Sequence, residues 1–148
     1  MLDKLLPQPI DNKYSGSKIA LWLLGLIVFI HTLQSVMVLV NGYSIAQSAD
    51  GIPLETYPAA AAQTILAIFA ISSLNRLIIS GIGAVVLVRY RRAVPLMFLI
   101  VLATYAGAQL LSRFVPIVRV GRPLGVMVNL GLFGLTIIGF VLSLWKRR

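Results

Sequence analysis

IALWLLGLIVFIHTLQSVMVLVN, residues 19–41, carries no charged side chain over its whole length. A bilayer hydrocarbon core of about 30 Å needs about 20 helical residues, so this segment reads as a membrane-spanning helix. Lys4, Lys13 and Lys18 precede it and small residues follow at Ala46 to Ala49, as they would in a secretory leader. A leader's apolar stretch is only about 7 to 15 residues, and the run is therefore taken as a retained helix.

Three further stretches are comparably long and apolar, interrupted by charge only at Arg76 and Arg113: residues 59–88, 94–113 and 124–145. Together the four account for a chain of 148 residues that is 59% hydrophobic and 11% charged, with mean hydropathy +0.94. Soluble domains carry about 25% charged residues, so lipid has to be the solvent. The expected fold is all-α: one integral membrane domain over residues 1–148, a four-helix bundle in up-down order joined by short loops.

The formal charge of +9 comes from thirteen basic and four acidic residues. Its distribution argues against nucleic acid as the partner. Lys4, Lys13 and Lys18, then Arg89, Arg91 and Arg92, then Lys146, Arg147 and Arg148 flank the spans, where cations meet lipid phosphates. With four spans these three groups fall on one side, which the positive-inside rule makes cytoplasmic. Both termini are expected inside, and Trp22, Tyr90 and Trp145 at one interface with Tyr43 and Tyr57 at the other fit the aromatic belts. Arg113, Arg119 and Arg122 fall on the outer side, against the local rule. They are either offset by Asp50 and Glu55 or form an outer basic cluster for an anion or lipid head group.

Residues 42–57 read as a polar outer loop with turn signals at Asp50-Gly51 and Pro53. Pro58, Pro95 and Pro123 suit the starts of the helices that follow them, and Phe114 to Val120 alternates apolar residues in a manner suited to the head-group layer. No internal repeat is present. Small residues recur at Gly81, Gly83, Ala103, Gly107, Gly121, Gly125, Gly131, Gly134 and Gly139, and close helix packing is the expected use of each.

Depth converts the polar residues into a candidate site. His31 and Arg76 each lie twelve residues from the same face of the membrane, about 18 Å in at the α-helical rise. Tyr105 falls near that level. Gln34, Ser72, Ser73, Gln109 and Asn129 form a second layer about 4 to 6 Å further out. Each helix thus carries a polar stripe, and the stripes are expected to face one another.

Arg76 is the sharpest feature, because a guanidinium keeps its proton in essentially any protein site and costs about 2.5 to 3.5 kcal/mol at a helix centre. No Asp or Glu lies in any span. Either neutral side chains and water solvate Arg76, or the counter-charge is an anionic ligand, a lipid or a carboxylate from another subunit. His31, the single histidine, is more often a hydrogen-bonded interior residue than a ligand.

Catalytic templates find no match: there is no carboxylate pair in a span, no Ser-His-Asp set with a buried acid, no metal-ligand cluster and no phosphate loop. Zero cysteines exclude disulfide and thiolate chemistry within the chain. Neither enzymatic activity nor a metal or cofactor is expected.

The segments Asn12 to Trp22, Ala49 to Leu54 and Phe114 to Arg119 resemble small bacterial inner-membrane proteins of four spans and no assigned activity, over most of the chain. In architecture alone the chain is similar to DoxX-like four-helix membrane proteins. Neither resemblance implies site residues. Two functions remain open: a non-enzymatic protein associated with lipid, with itself or with other membrane proteins, or a small carrier or binding protein. The second would take an amphipathic anion or quinone-like molecule at Arg76, His31, Gln34, Tyr105, Gln109 and Asn129.

Overall fold

The computed structural model describes residues 11–145. Lys4, Lys146, Arg147 and Arg148 lie outside them. Four helices account for most of the described chain: α1 Lys18–Ser48, α2 Ala59–Arg89, α3 Val94–Phe114 and α4 Leu124–Leu144. Single 3₁₀ turns at Leu54–Thr56 and Arg91–Ala93 sit in the first two connections, and there is no strand among the described residues. All four helices are long and apolar enough to cross a membrane.

Local chemistry explains the helix starts. The Ser17 side chain accepts from the Ile19 N–H at 3.3 Å and caps α1. Pro58 and Pro123 occupy the positions just before α2 and α4, and Pro95 lies in the first turn of α3, where a missing N–H costs nothing.

α1 is the hub. It packs most extensively on α2 and next on α4, α4 in turn holds α3, and α2 and α3 meet only sparsely. The apolar core joins Leu24 and Ile27 of α1, Met97, Phe98 and Val101 of α3, and Leu132 of α4. α2 contributes small residues instead: Ser73, Ser80 and Gly83 are its buried positions. A Cβ added at Gly83 would stand 2.7 Å from Val28 Cγ2, so glycine lets the two backbones approach. Gly139 has the same use on α4, where an added Cβ would overlap the buried ring of Phe98.

Both ends of the bundle are tied. At the end that holds the α2–α3 turn, Ser17 N–H donates to Leu142 O at 3.3 Å, Arg92 N–H donates to Asp11 O at 3.3 Å, and Arg92 pairs with the Asp11 carboxylate at 3.8 Å. At the opposite, loop end, Val120 N–H donates to Gly51 O and Gly125 N–H to Ala49 O, both at 2.8 Å. Gly51 has φ +69°, and a Cβ there would meet Val120 O at 2.7 Å. Only glycine suits that position.

Two expectations need correction. The polar stretch 42–57 is not all loop: after a break at Asn41 (φ −139°, ψ 50°) the helix resumes to Ser48. Ala46 is fully buried and its carbonyl accepts from Ile52 N–H at 2.9 Å, so tertiary packing overrides a loop-like composition. Close packing within the chain also does not hold at every small residue. A Cβ at Gly81, Gly107, Gly131 or Gly134 would meet nothing within 4 Å.

Candidate functional site

The sparse contact between α2 and α3 leaves a cleft beside the polar residues. Ser72, Asn75, Arg76 and Ile79 share one face of α2, and Val101, Thr104, Tyr105 and Ala108 share one face of α3, each set at the i, i+3, i+4, i+7 spacing. With His31 of α1 they line a cavity of about 310 Å³. Ser72, Asn75, Thr104 and Ala108 are exposed, whereas His31 is only 7% exposed. The cleft therefore opens between α2 and α3 and has the imidazole at its floor.

Tyr105 and His31 meet there, the hydroxyl 2.7 Å from Nε2, a short hydrogen bond whose direction follows the His31 tautomer. The two rings are tilted with centroids 5.7 Å apart, and Phe133 of α4 backs Tyr105 at the same separation. Fixing the ring on both sides holds the hydroxyl on the floor of the cleft.

Arg76 donates from Nη1 to Gln34 Oε1 at 3.3 Å, across the α1–α2 interface. That is its one side-chain hydrogen bond among the described residues, from a group with five N–H donors. A neutral amide leaves the positive charge in place. The guanidinium therefore faces the cavity with most of its hydrogen-bonding capacity unused.

The expectation that no carboxylate of this chain comes near Arg76 is incomplete. Asp50, just past the end of α1, lies within electrostatic range of both Arg119 and Arg76. Burial pushes the Asp50 carboxyl above its ordinary value and outweighs the opposing pull of the two arginines. Asp50 forms no ion pair with Arg76, so the counter-charge is distant and partial. Its side chain lies instead against Gly125, where an added Cβ would be 2.9 Å from Asp50 Oδ1.

Of the residues singled out in the sequence, Arg76, His31 and Tyr105 converge on the cleft and Gln34 holds Arg76 from behind. Gln109 and Asn129 do not line it. Gln109 lies on an exposed part of α3, one position past Ala108. Asn129 is on α4, which contributes no lining residue, and its side-chain oxygen is buried without a hydrogen-bond partner. Arg113, Arg119 and Arg122 are all exposed. They form no ion pair among the described residues, although the Arg119 charge reaches Asp50. Glu55 accepts from Gln47 at 2.9 Å.

Asn75 and Thr104 are lining residues that the depth argument passes over. The helical spacing that links Ser72 to Arg76 and Ile79 passes through Asn75, and the spacing that links Val101 to Tyr105 passes through Thr104. Both were accessible to a face-by-face reading.

Neither a protein-family model, nor a curated protein, nor a solved structure matches this chain.

Proposed function

We propose that this is a non-enzymatic, multi-pass protein of the bacterial inner membrane that binds the polar head of an amphipathic anion in the cleft between α2 and α3. The observation that carries this reading is the position of Arg76, a cation held by one neutral amide beside a half-open cavity of about 310 Å³. That volume is at the lower limit of small-molecule sites, about 300 to 1,000 Å³. It suits a head group whose apolar tail leaves sideways into lipid. An anion there gains charge-assisted hydrogen bonds from Arg76, each worth about 1.5 to 3 kcal/mol, with the Asn75 amide as a neutral donor, the Ser72 and Thr104 hydroxyls being already donated to Ile68 O and Val101 O. A quinone-like molecule, whose carbonyl oxygens accept from the same donors, is the uncharged variant of this class.

The membrane orientation proposed is up-down with both termini cytoplasmic. Lys13, Lys18, Arg89, Arg91 and Arg92 cluster around the turn end of the bundle, which supports that assignment under the positive-inside rule. Self-association or a membrane-protein partner is the second reading. Gly131 and Gly134 favour it, because they leave a smooth patch on α4 with no neighbour within 4 Å of an added Cβ.

Native mass spectrometry of the protein in native-lipid discs tests the main reading, with wild type beside Arg76→Gln and laurate as an added probe. A stoichiometric amphiphile or laurate retained by wild type and lost from Arg76→Gln is the expected result. If both forms retain nothing, the binding reading fails; a mass corresponding to a dimer that Gly134→Leu dissociates would then support self-association.

A further inference from the structure

A second cavity, of about 400 Å³, lies at the turn end of the bundle, remote from the cleft at His31 and Arg76. Its walls come from two places in the chain: Asn12, Tyr14, Ser15, Gly16, Lys18 and Leu21 in the lead-in and first turn of α1, and Arg91 in the α2–α3 turn. These are brought together because the lead-in is fastened on both sides. Asp11 binds the backbone and side chain of Arg92, and Ser17 N–H donates to Leu142 O. Gly16 allows that seat, since a Cβ there would run into the Tyr14 ring and the Ser143 carbonyl.

The lining chemistry is one-signed. Lys18 and Arg91 bring two cations from separate elements, and Asn12 and Ser15 add neutral donors, with the Tyr14 ring and Leu21 as apolar walls. No carboxylate lines the cavity. The nearby acid, Asp11, is engaged by Arg92 rather than by Lys18 or Arg91. Arg91 spends Nε on Leu87 O at 2.9 Å, which sets the guanidinium plane and leaves its two terminal nitrogens. The Tyr14 hydroxyl is shielded from solvent and packed against Gly16, so Tyr14 braces the cavity wall rather than donating into it.

Two cations and two neutral donors converging from different directions exceed what a carboxylate with two oxygens can use. They match a group with three or four oxygens. We propose that this cavity binds a phosphate-bearing head group between the Lys18 ammonium and the Arg91 guanidinium, with Asn12 and Ser15 donating to the remaining oxygens. Leu21, one turn into α1, places the site at the membrane–water boundary. A phospholipid of the adjoining leaflet and a soluble phosphate ester present the same chemistry, and experiment separates them.

The full chain is reconstituted in phosphatidylcholine discs doped with phosphatidylglycerol, and retained lipid is counted by native mass spectrometry. The cavity pair Lys18→Gln/Arg91→Gln is compared with the control pair Lys13→Gln/Arg89→Gln, which removes the same charge from exposed residues outside the cavity. Wild type and the control pair retain phosphatidylglycerol, whereas the cavity pair loses about tenfold in occupancy per cation, the equivalent of one charge-assisted hydrogen bond each. The charge-preserving pair Lys18→Arg/Arg91→Lys keeps binding and guards against a folding defect, with helicity measured on every variant. In a second arm, detergent-solubilised protein is titrated with glycerol 3-phosphate and followed by phosphorus NMR. Saturable binding there, lost in the cavity pair, identifies a soluble ester as the source; retention confined to the discs identifies the lipid. Equal loss in the cavity and control pairs, or retention in neither arm, overturns the proposal.

Discussion

Replacing Gln34 by Leu removes the side-chain acceptor that Arg76 has across the α1–α2 interface. The bond is long, 3.3 Å, and partly buried, but one partner carries a full charge. Hydrogen bonds between transmembrane helices average about 0.6 kcal/mol in double-mutant cycles and reach about 1.7, and the charge places this one in the upper half of that range. The two single substitutions are not equivalent. Gln34→Leu strands a guanidinium, at a cost of about 1 to 3 kcal/mol or more, whereas Arg76→Leu strands only a neutral amide and removes a group that is itself expensive at this depth. Gln34→Leu is therefore the more damaging change, and the double substitution recovers most of the loss. Reversible unfolding in mixed micelles, followed by helicity, measures all four corners of the cycle. Additivity within about 0.3 kcal/mol, or a greater loss from Arg76→Leu than from Gln34→Leu, would refute the assignment of Gln34 as the support of Arg76. The double variant also separates folding from binding: it is expected to fold and to lose the amphiphile retained by wild type.

Tyr105→Phe removes the partner of His31 Nε2 and is expected to cost about 1 kcal/mol, read from the same micelle titrations; no change would mean that His31 is satisfied elsewhere. Gly139→Ala forces a methyl group into the Phe98 ring and should destabilise by about 1 to 3 kcal/mol, with at least about 0.5 kcal/mol returned by Phe98→Leu through direct coupling. An alanine tolerated there without loss would contradict the close α3–α4 contact. Asp50 supplies a pH dependence with a definite sign. Its carboxyl is raised in the folded protein, so the folded state holds that proton more tightly than the unfolded chain. This contribution is greatest below the ordinary value of about 3.9 and declines as pH rises through the folded value. Asp50→Asn should flatten this part of the melting-temperature profile above about pH 4 and raise stability at the alkaline end; an unchanged profile would exclude Asp50 as its source.

The helices were legible because lipid leaves few solutions: long uncharged runs that must satisfy their own backbone become helices. Helix starts at 59, 94 and 124 agree with the proline positions. The end of α1 was not legible, because Asn41-Gly42 and the polar residues after it carry the local signals of a loop, and only the burial of Ala46 shows why helix returns. Depth alone brought His31, Arg76 and Tyr105 to one level. It could not assign Gln109 and Asn129, since residues at equal depth can face different directions, and the direction depends on which helices actually touch. The sparse α2–α3 contact is likewise absent from any local pattern; α2 packs mainly on α1, with Gly83 closest to Val28 of that helix.

The ties at the two ends of the bundle give the cleft the mechanics of a buttonhole. At one end α2 and α3 are stitched by their own short turn. At the other, the chain entering α2 and the chain leaving α3 are joined to one another through the 2.8 Å bond from Val120 to Gly51. Swinging either helix away from its neighbour at that end breaks this bond, at a cost of about 1 kcal/mol. Outward bowing of α2 and α3 at mid-length, where Arg76 and Tyr105 sit, widens the slot while both ties stay closed, and there lipid, rather than protein, is what yields.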